Sequence, residues 1–128
     1  MRTNSERDSP HPSGPLRDRI GLHSTLRRDA IDVYREHHES VPGELLRVFE
    51  EAGIRDWTIW RSGDRLFHLV ECADFEAAMD RIASSDANDR WQADIGRFVD
   101  AFHGPDGEPA FSPMEHIWSL RSQRDGTP

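Results

Sequence analysis

The chain has 128 residues, 31% of them charged and 35% apolar, and this composition indicates one soluble domain with one hydrophobic core. Its net charge of −8 disfavours a sequence-independent grip on nucleic-acid phosphates, and it has no run of about 20 apolar residues that would span a membrane. All sixteen basic residues are arginine, which excludes a Schiff-base lysine, and the single cysteine, Cys72, excludes an intrachain disulfide or a cysteine-based zinc cage.

Hydrophobic spacing and turn residues predict the elements in chain order. Alternation of apolar and polar residues indicates strands, and apolar spacings of three and four indicate helices. The predicted elements are a strand at Arg19–Thr25, a helix at Asp29–Ala52 that kinks or restarts at Pro42, strands at Ile54–Trp60 and Arg65–Cys72, helices at Phe75–Ala83 and Ala87–Phe102, and a last strand at Glu115–Leu120. Asp29, Asp74 and Asp86 are the expected N-caps, and Gly53 is the expected C-cap signal.

This β-α-β-β-α-β order, with the second helical segment split in two, predicts the ferredoxin-like α+β fold. In that fold a four-stranded antiparallel sheet has helices on one face. The other face would carry alternate residues of the second and third strands, several of them aromatic or apolar. An open apolar face on so small a domain indicates a partner, and we expect a homodimer that packs sheet against sheet.

Polar stretches flank this region. Residues 1–18 have no apolar segment of the kind that a secretory signal carries, and they are predicted to be a disordered extension. Residues 121–128 are predicted to be a polar tail, which leaves 19–120 as the folded domain. A cytoplasmic location is the default expectation.

The predicted helix Asp29–Ala52 carries a candidate small-molecule site. Tyr34 and His38 lie four residues apart on its apolar stripe, so both should face the protein. Pro42 has no N–H to give to the carbonyl of His38, and a local opening of the helix is therefore expected beside this imidazole. The alternative is a core tyrosine with a histidine that is hydrogen-bonded within the fold.

Other constellations are less specific. His23, His68 and His116 lie on three predicted strands, and their convergence on a metal ion is one hypothesis, but no zinc-binding spacing such as HExxH is present. Trp91 follows Arg90 directly, and an aromatic face beside charged groups is typical of sugar pockets. A core position is the alternative for Trp91.

Several blocks of sequence follow one another in a recognisable order. They are Tyr34-x-x-x-His38, Pro42-Gly43-Glu44-Leu45, Ala52–Trp60, Leu66–Glu71 and Asp86–Trp91. Together they resemble the L-rhamnose mutarotase family, and the resemblance covers roughly Arg19–Leu120. It implies a dimeric ferredoxin-like α/β barrel that interconverts the α and β anomers of L-rhamnose without a cofactor.

The resemblance also implies roles for particular residues. Tyr34 and His38 would be active-site residues, with His38 as the proton-transfer group and Trp91 in the sugar pocket. The family often has a second tryptophan where this chain has Gln92, and its Trp-Pro-Glu is replaced by Val41-Pro42-Gly43-Glu44. Both departures touch expected pocket positions, so the substrate is predicted to be L-rhamnose or a related free sugar.

Mutarotation opens the hemiacetal and closes it on the other face, so one group must protonate the ring oxygen while another removes the anomeric hydroxyl proton. A histidine with a pKa near ~6.5 does either at neutral pH, and general acid–base help of ~10²–10⁴-fold requires no metal. We assign His38 as the principal acid or base and Tyr34 as a hydrogen-bond donor to the ring or anomeric oxygen. The substrate-binding candidates are Trp91, Arg90, Gln92, Glu44 and His68, with Glu44 or His68 as the complementary proton acceptor.

Two alternatives come from other functional classes. The same dimeric barrel hosts small cofactor-free monooxygenases and haem-degrading enzymes, which would show oxygen consumption with a quinol or a Soret band on haem addition. A non-catalytic ligand-binding or dimerisation module would exchange no anomers.

Overall fold

The computed structural model describes residues 18–126. The elements in chain order are β1 (Asp18–Leu26), α1 (Ile31–His38), α2 (Gly43–Glu51), β2 (Ile54–Ser62), β3 (Arg65–Cys72), α3 (Phe75–Ala83), α4 (Asp86–Ile95), β4 (Val99–His103) and α5 (Leu120–Arg124). The predicted N-terminal extension, apart from Asp18, and the end of the predicted tail lie outside the described residues.

The strands form one sheet in the order β2-β3-β1-β4. All the pairings between neighbouring strands are antiparallel. This is the ferredoxin-like α+β fold predicted from the sequence, with α1 to α4 on one face of the sheet.

The helix-facing side of the sheet holds the core. Alternate residues of β1 and β3 are buried there, because successive side chains of a strand point to opposite faces. Two buried clusters result: Leu22, Val70, Cys72 and Phe75 in one, and Leu26, Tyr34, Leu66 and Ile95 in the other. Burying a side chain of this size contributes about 1.5–3 kcal/mol, so these clusters hold the helices on the sheet.

The opposite, outer face of the sheet carries the intervening residues. Phe67 and Leu69 of β3 lie on it half-buried, as predicted for an apolar outer face. Gly21 of β1 pairs with Leu69, and a β-carbon at Gly21 would meet Met114 Cε at 3.0 Å. The missing side chain therefore makes room for Met114 on this face.

The predicted long helix restarts, as the proline indicated. It is divided into α1, which ends at His38, and α2, for which Pro42 is the N-cap in an extended conformation. Asp29 does not cap α1, and this prediction was wrong. Asp29 has φ 61 in the tight turn after β1, and Ala30 is the N-cap without a side-chain hydrogen bond.

The other helix ends follow their sequence signals closely. Asp74 caps α3 by accepting a hydrogen bond from Ala77 N, and Gly53 with φ 90 follows the end of α2. The cap of α4 is Ser85, whose hydroxyl accepts from Asn88 N, whereas Asp86 is the first helical residue. The prediction for this cap was therefore wrong by one position.

The last strand was predicted in the wrong place. The third predicted helix stops at Ile95, and Val99–His103 is the fourth strand. Phe98 and Phe102 are four apart, a spacing that fits one face of a helix and also one face of a strand. Residues 115–119 form no regular element, and Trp118 is 62% exposed instead of lying in the sheet.

Among residues 18–126, no helix has both the length and the hydropathy to cross a membrane.

Candidate active site

A cavity of about 400 Å³ opens between α1 and the helix-facing side of β2 and β3. The break between α1 and α2 places His38 and Val41 at its edge. Its polar lining residues are Tyr34, Arg35, His38 and Arg61, and its apolar ones are Ile31, Val41, Trp57, Ile59, Trp60 and Leu66. A mostly apolar wall with a few converging polar groups is the usual architecture of a small-molecule site.

The orientation of the His38 ring is fixed by the backbone of its own helix. His38 Nδ1 lies 2.9 Å from the carbonyl oxygen of Tyr34. Since a carbonyl only accepts, Nδ1 carries a proton and donates it. In neutral His38 the other ring nitrogen, Nε2, therefore has a lone pair and acts as a proton acceptor.

Burial lowers the pKa of His38 below its ordinary value of 6.5. The hydrogen bond to Tyr34 opposes this effect, and positive charge on the adjacent His37 adds to it. At neutral pH the imidazole is consequently in its neutral, proton-accepting form.

Tyr34 lies beside His38 as a neutral phenol. The two ring centroids are 4.3 Å apart, and the Tyr34 side chain is 7% exposed. Burial raises the pKa of Tyr34 to about 12, so the hydroxyl keeps its proton and is a hydrogen-bond donor throughout the neutral range. A proton acceptor and a proton donor thus sit together at one wall of the cavity.

Trp91 supports His38 from the side of α4. Its ring meets the imidazole edge-on, with the centroids 5.2 Å apart and the planes at 87°. Trp91 is half-buried, packs against the cluster that contains Tyr34, and is not among the cavity-lining residues. The structure therefore places it against the imidazole, behind the cavity wall.

Trp57 lies in the predicted strand Ile54–Trp60 but was not among the predicted site residues, and it supplies an aromatic wall of the cavity. Its Nε1–H donates to His68 Nδ1 at 3.2 Å, and the other ring nitrogen of His68 lies 3.2 Å from Ser24 Oγ. His68 is 5% exposed and sits behind Trp57, outside the cavity lining. Burial, together with positive charge on His38 and His23, lowers the pKa of His68 to about 4, so this ring is neutral at neutral pH.

The remaining sequence candidates lie outside the cavity lining. Glu44 of α2 and Arg90 of α4 form an ion pair with each other, and both side chains are largely exposed. Gln92 is exposed and lies 3.4 Å from Asn88 through its amide nitrogen. The Glu44–Arg90 pair connects α2 and α4 at the surface, whereas the contact of Gln92 lies within α4.

The three histidines considered for a metal do not come together. His23 is on the outer face of the sheet, His68 is on the helix-facing side, and His116 is exposed and outside any strand. Residues 18–126 contain no group of three or more histidine, cysteine, aspartate or glutamate side chains that could hold a metal ion.

Cys72 is equally unsuited to nucleophilic catalysis. It is fully buried at the end of β3, away from the cavity lining. Burial, together with the nearby carboxylates of Asp18 and Asp74, raises the pKa of this thiol to about 11. The reactive thiolate is therefore not populated at neutral pH.

The missed cavity residues carried a signal that only pairing could reveal. Trp57, Ile59 and Arg61 alternate along β2 and pair with Val70, His68 and Leu66 of β3. Residues that are directly opposite in a sheet share a face, so these three face the helices. The alternation was visible in the sequence, but the face that each residue joins was not.

Comparisons with known proteins agree on one family. The family model described as L-rhamnose mutarotase matches residues 19–120. The L-rhamnose mutarotase of Burkholderia ambifaria (strain MC40-6) is 28% identical over 103 residues, which cover 79% of this chain and 96% of that protein.

Solved structures share the fold. The crystal structure of an L-rhamnose mutarotase from Formosa agariphila aligns with a TM-score of 0.65 at 17% identity, over 81% of this chain and 99% of that one. Tetracenomycin F2 cyclase from Streptomyces glaucescens, a type-II polyketide cyclase, aligns with a TM-score of 0.55 at 16% identity, over 81% and 97% of the two chains. A scaffold shared with a cyclase shows that the chemistry has to be argued from the site.

Proposed function

The chain belongs to the L-rhamnose mutarotase family of isomerases, and from this we propose that it interconverts the α and β anomers of free L-rhamnose without a cofactor. The observation that carries the proposal is the pairing of neutral Tyr34 with neutral His38 at the wall of a cavity of about 400 Å³. A monosaccharide is the size of ligand that such a cavity accommodates.

The proposed reaction uses these two side chains as base and acid. His38 Nε2 accepts the proton of the anomeric hydroxyl, the bond between C1 and the ring oxygen breaks, and C1 becomes an aldehyde. The Tyr34 hydroxyl donates to the ring oxygen as that bond breaks. Rotation about the C1–C2 bond and closure of the ring produce the other anomer. During closure His38 Nε2 returns its proton to the anomeric oxygen, and Tyr34 recovers its proton from the hydroxyl that becomes the ring oxygen.

The lining of the cavity suits a deoxy sugar. L-rhamnose carries a methyl group where most hexoses carry a hydroxymethyl group, and the alkyl side chains of Ile31, Ile59 and Leu66 offer an apolar surface to it. The Trp57 ring presents an aromatic face for sugar C–H groups. Arg61 and Arg35 supply hydrogen-bond donors for the ring hydroxyls.

Glu44 and His68, the two other candidates for proton transfer, are less suitable than Tyr34 in this proposal. Glu44 is paired with Arg90 away from the cavity lining, and His68 has both ring nitrogens in contact with protein groups. Tyr34, which lines the cavity next to His38, is therefore the partner that we assign to His38.

The test is saturation-difference proton NMR on L-rhamnose, with irradiation of one anomeric proton. We expect transfer to the other anomer with the wild-type protein and its loss with His38→Asn. Asparagine keeps a donor for the Tyr34 carbonyl but lacks a group in the place of Nε2. General acid–base catalysis is worth about 10²–10⁴-fold, and a loss of this size is expected.

His37→Asn is the matched control. His37 is the neighbouring residue on α1, lies 5.2 Å from the Phe98 ring between centroids and does not line the cavity, so this variant should retain exchange. Exchange of another free sugar such as L-fucose, but not of L-rhamnose, would reassign the substrate. No exchange of any free sugar, or full exchange in His38→Asn, would contradict the proposal.

We also propose that a second copy of the chain covers the outer face of the sheet. The support is the apolar character of this face, where Phe67 and Leu69 lie half-buried beside Met114. Apolar surface that faces solvent on a small domain marks an interaction site, and the sheet of a second copy is equally apolar.

A further inference from the structure

A series of hydrogen-bonded polar side chains extends from the cavity wall into the core. Trp57 Nε1–H donates to His68 Nδ1, and His68 Nε2 contacts Ser24 Oγ, with 3.2 Å in both cases. Of the three, only Trp57 lines the cavity. His68 is 5% exposed and Ser24 is 0% exposed, so the two inner members of this series are buried polar groups.

The direction of the hydrogen bonds determines the tautomer of His68. An indole N–H only donates, so His68 Nδ1 must be unprotonated and the single ring proton is on Nε2. The Nε2–H then donates to the Ser24 hydroxyl oxygen. A proton on Nδ1 would face the indole N–H donor to donor, and the contact between Trp57 and His68 would be lost.

Packing alone does not select this orientation of the Trp57 ring. Phe49 stacks on the indole with 5.8 Å between centroids and 25° between planes, and His68 meets the indole at 81°. Stacking is apolar and tolerates a flipped indole, whereas the hydrogen bond to His68 requires Nε1 to point towards β3.

Core stability does not require an imidazole here either. A buried polar group is costly unless its partners are in place, and an apolar side chain of similar volume would fill the same space. The hydrogen-bonded histidine is therefore better explained by what it holds than by the core volume it fills.

We propose that His68 is a positioning residue that, as the Nε2–H tautomer, holds the Trp57 indole in the orientation that lines the cavity, and so sets the affinity for the sugar. This inference rests on the proposed mutarotase function and adds a residue that does not touch the sugar. His68 therefore acts in substrate binding. Its substitution should change KM, whereas proton transfer by His38 should not depend on it.

The test compares two substitutions of similar size. His68→Asn places an oxygen near the position of Nδ1, where it still accepts from Trp57, whereas His68→Leu removes the acceptor. We expect His68→Leu to raise KM for L-rhamnose roughly tenfold or more, with a much smaller change in kcat, because a displaced wall of an apolar pocket costs affinity on this scale. We expect His68→Asn to restore most of the affinity.

The indole resonances provide a readout independent of turnover. In a proton–nitrogen correlation spectrum the Trp57 Nε1–H signal, assigned by its disappearance in Trp57→Phe, should move on His68→Leu and remain near its wild-type position on His68→Asn. The Trp57→Phe variant should raise KM as His68→Leu does. The KM of the double variant should be no higher than that of either single variant, because both substitutions remove the same interaction.

Ile82→Ala controls for loss of stability alone. Ile82 of α3 is 7% exposed and belongs to neither core cluster around the cavity, so truncating it destabilises the fold without touching Trp57. Its KM should remain at the wild-type value.

The outcomes separate this inference from the proposed function. A wild-type KM in folded His68→Leu, or an equal rise in KM for the leucine and asparagine variants, would overturn the role of His68. If the wild-type protein exchanged no anomers, the proposed reaction would fail. A sugar-induced shift of the Trp57 signal that His68→Leu abolished would still support the positioning role, and the absence of any such shift would overturn it.

Discussion

His38 and His68 both carry neutral imidazoles, yet their hydrogen bonds give them different chemistry. His38 donates to the carbonyl of Tyr34 and keeps Nε2 as a proton acceptor at the cavity. His68 uses Nδ1 to accept from Trp57 and Nε2 to contact Ser24. The partner of His38 lies one turn away in its own helix, so helical spacing indicates it. The partners of His68, Ser24 in β1 and Trp57 in β2, lie in other strands and are not evident from the sequence.

The proposed base at His38 predicts the pH dependence of anomer exchange. Because burial holds the pKa of His38 below 6.5, the neutral base is lost only as the pH falls through that lower value. The enzymatic rate should therefore be constant near neutrality and decline in acid, while Tyr34, with a pKa of about 12, stays protonated. Exchange measured between about pH 5 and about pH 9, with the buffer-catalysed rate subtracted, checks this. A rate that increases in acid would show that His38 works as an acid instead.

His68 predicts a pH dependence of stability. Its pKa is about 4 in the folded protein and 6.5 in the unfolded chain, so between these values the unfolded state binds more protons and stability falls as the pH falls. At about 1.4 kcal/mol per pH unit the loss amounts to about 3 kcal/mol. Urea unfolding at pH 7 and at pH 4.5 should show a smaller difference for His68→Asn than for the wild-type protein. An equal pH dependence in both would contradict the assignment.

The secondary elements differ in how local their causes are. Helix α3 is determined within a few residues, since Asp74 accepts a hydrogen bond from Ala77 N and the apolar residues repeat at helical spacing. The strand β4 was mistaken for the end of a helix, because the spacing of Phe98 and Phe102 fits both structures. Hydrogen bonding to β1, where Phe102 pairs with Ser24, decides between them.

The cap of α3 leads to a prediction for stability. Asp74→Ala should lower the free energy of unfolding by about 1 kcal/mol, because an N–H at the start of the helix loses its acceptor. Asp80→Ala removes the same carboxylate from an exposed position within α3 and should cost nothing or stabilise slightly, since alanine has the higher helix propensity. Thermal or urea unfolding of the two variants provides the comparison. Equal losses would show that charge, and not capping, is responsible.

The whole molecule presents two different sides. Helices cover one side of the sheet, where α1 borders the cavity, whereas the outer face carries half-buried apolar residues of β3. The fold explains this division, because alternate residues of one strand supply both faces. The proposed dimer uses the outer face and leaves the cavity open from the helix side.

A substitution on the outer face tests the proposed dimer. Sedimentation velocity should give the mass of two chains for the wild-type protein and of one chain for Leu69→Arg, because a buried guanidinium without a partner is costly at an apolar interface. Leu46→Arg makes the same exchange on the helix side, where Leu46 is 53% exposed, and should remain dimeric. A monomeric wild-type protein would contradict the proposed dimer.

The amino-acid order alone was sufficient for features whose causes are local. These include the restart of the helix at Pro42, the cap at Asp74, and the spacing that puts Tyr34 and His38 on one face. Each depends on backbone geometry or helical spacing within a few residues. The order of the predicted elements, together with the resemblance of the sequence blocks to the L-rhamnose mutarotase family, was sufficient to predict the fold and the family.

The tertiary structure decided what depends on contacts between distant segments. It placed Trp57 in the cavity wall and His68 behind it, put Trp91 against His38, and made Val99–His103 the fourth strand. Strand alternation leaves open which set of residues faces the helices, and only the pairing of β2, β3 and β1 settles it. The members of the site therefore depend on sheet register, which is a property of the folded chain.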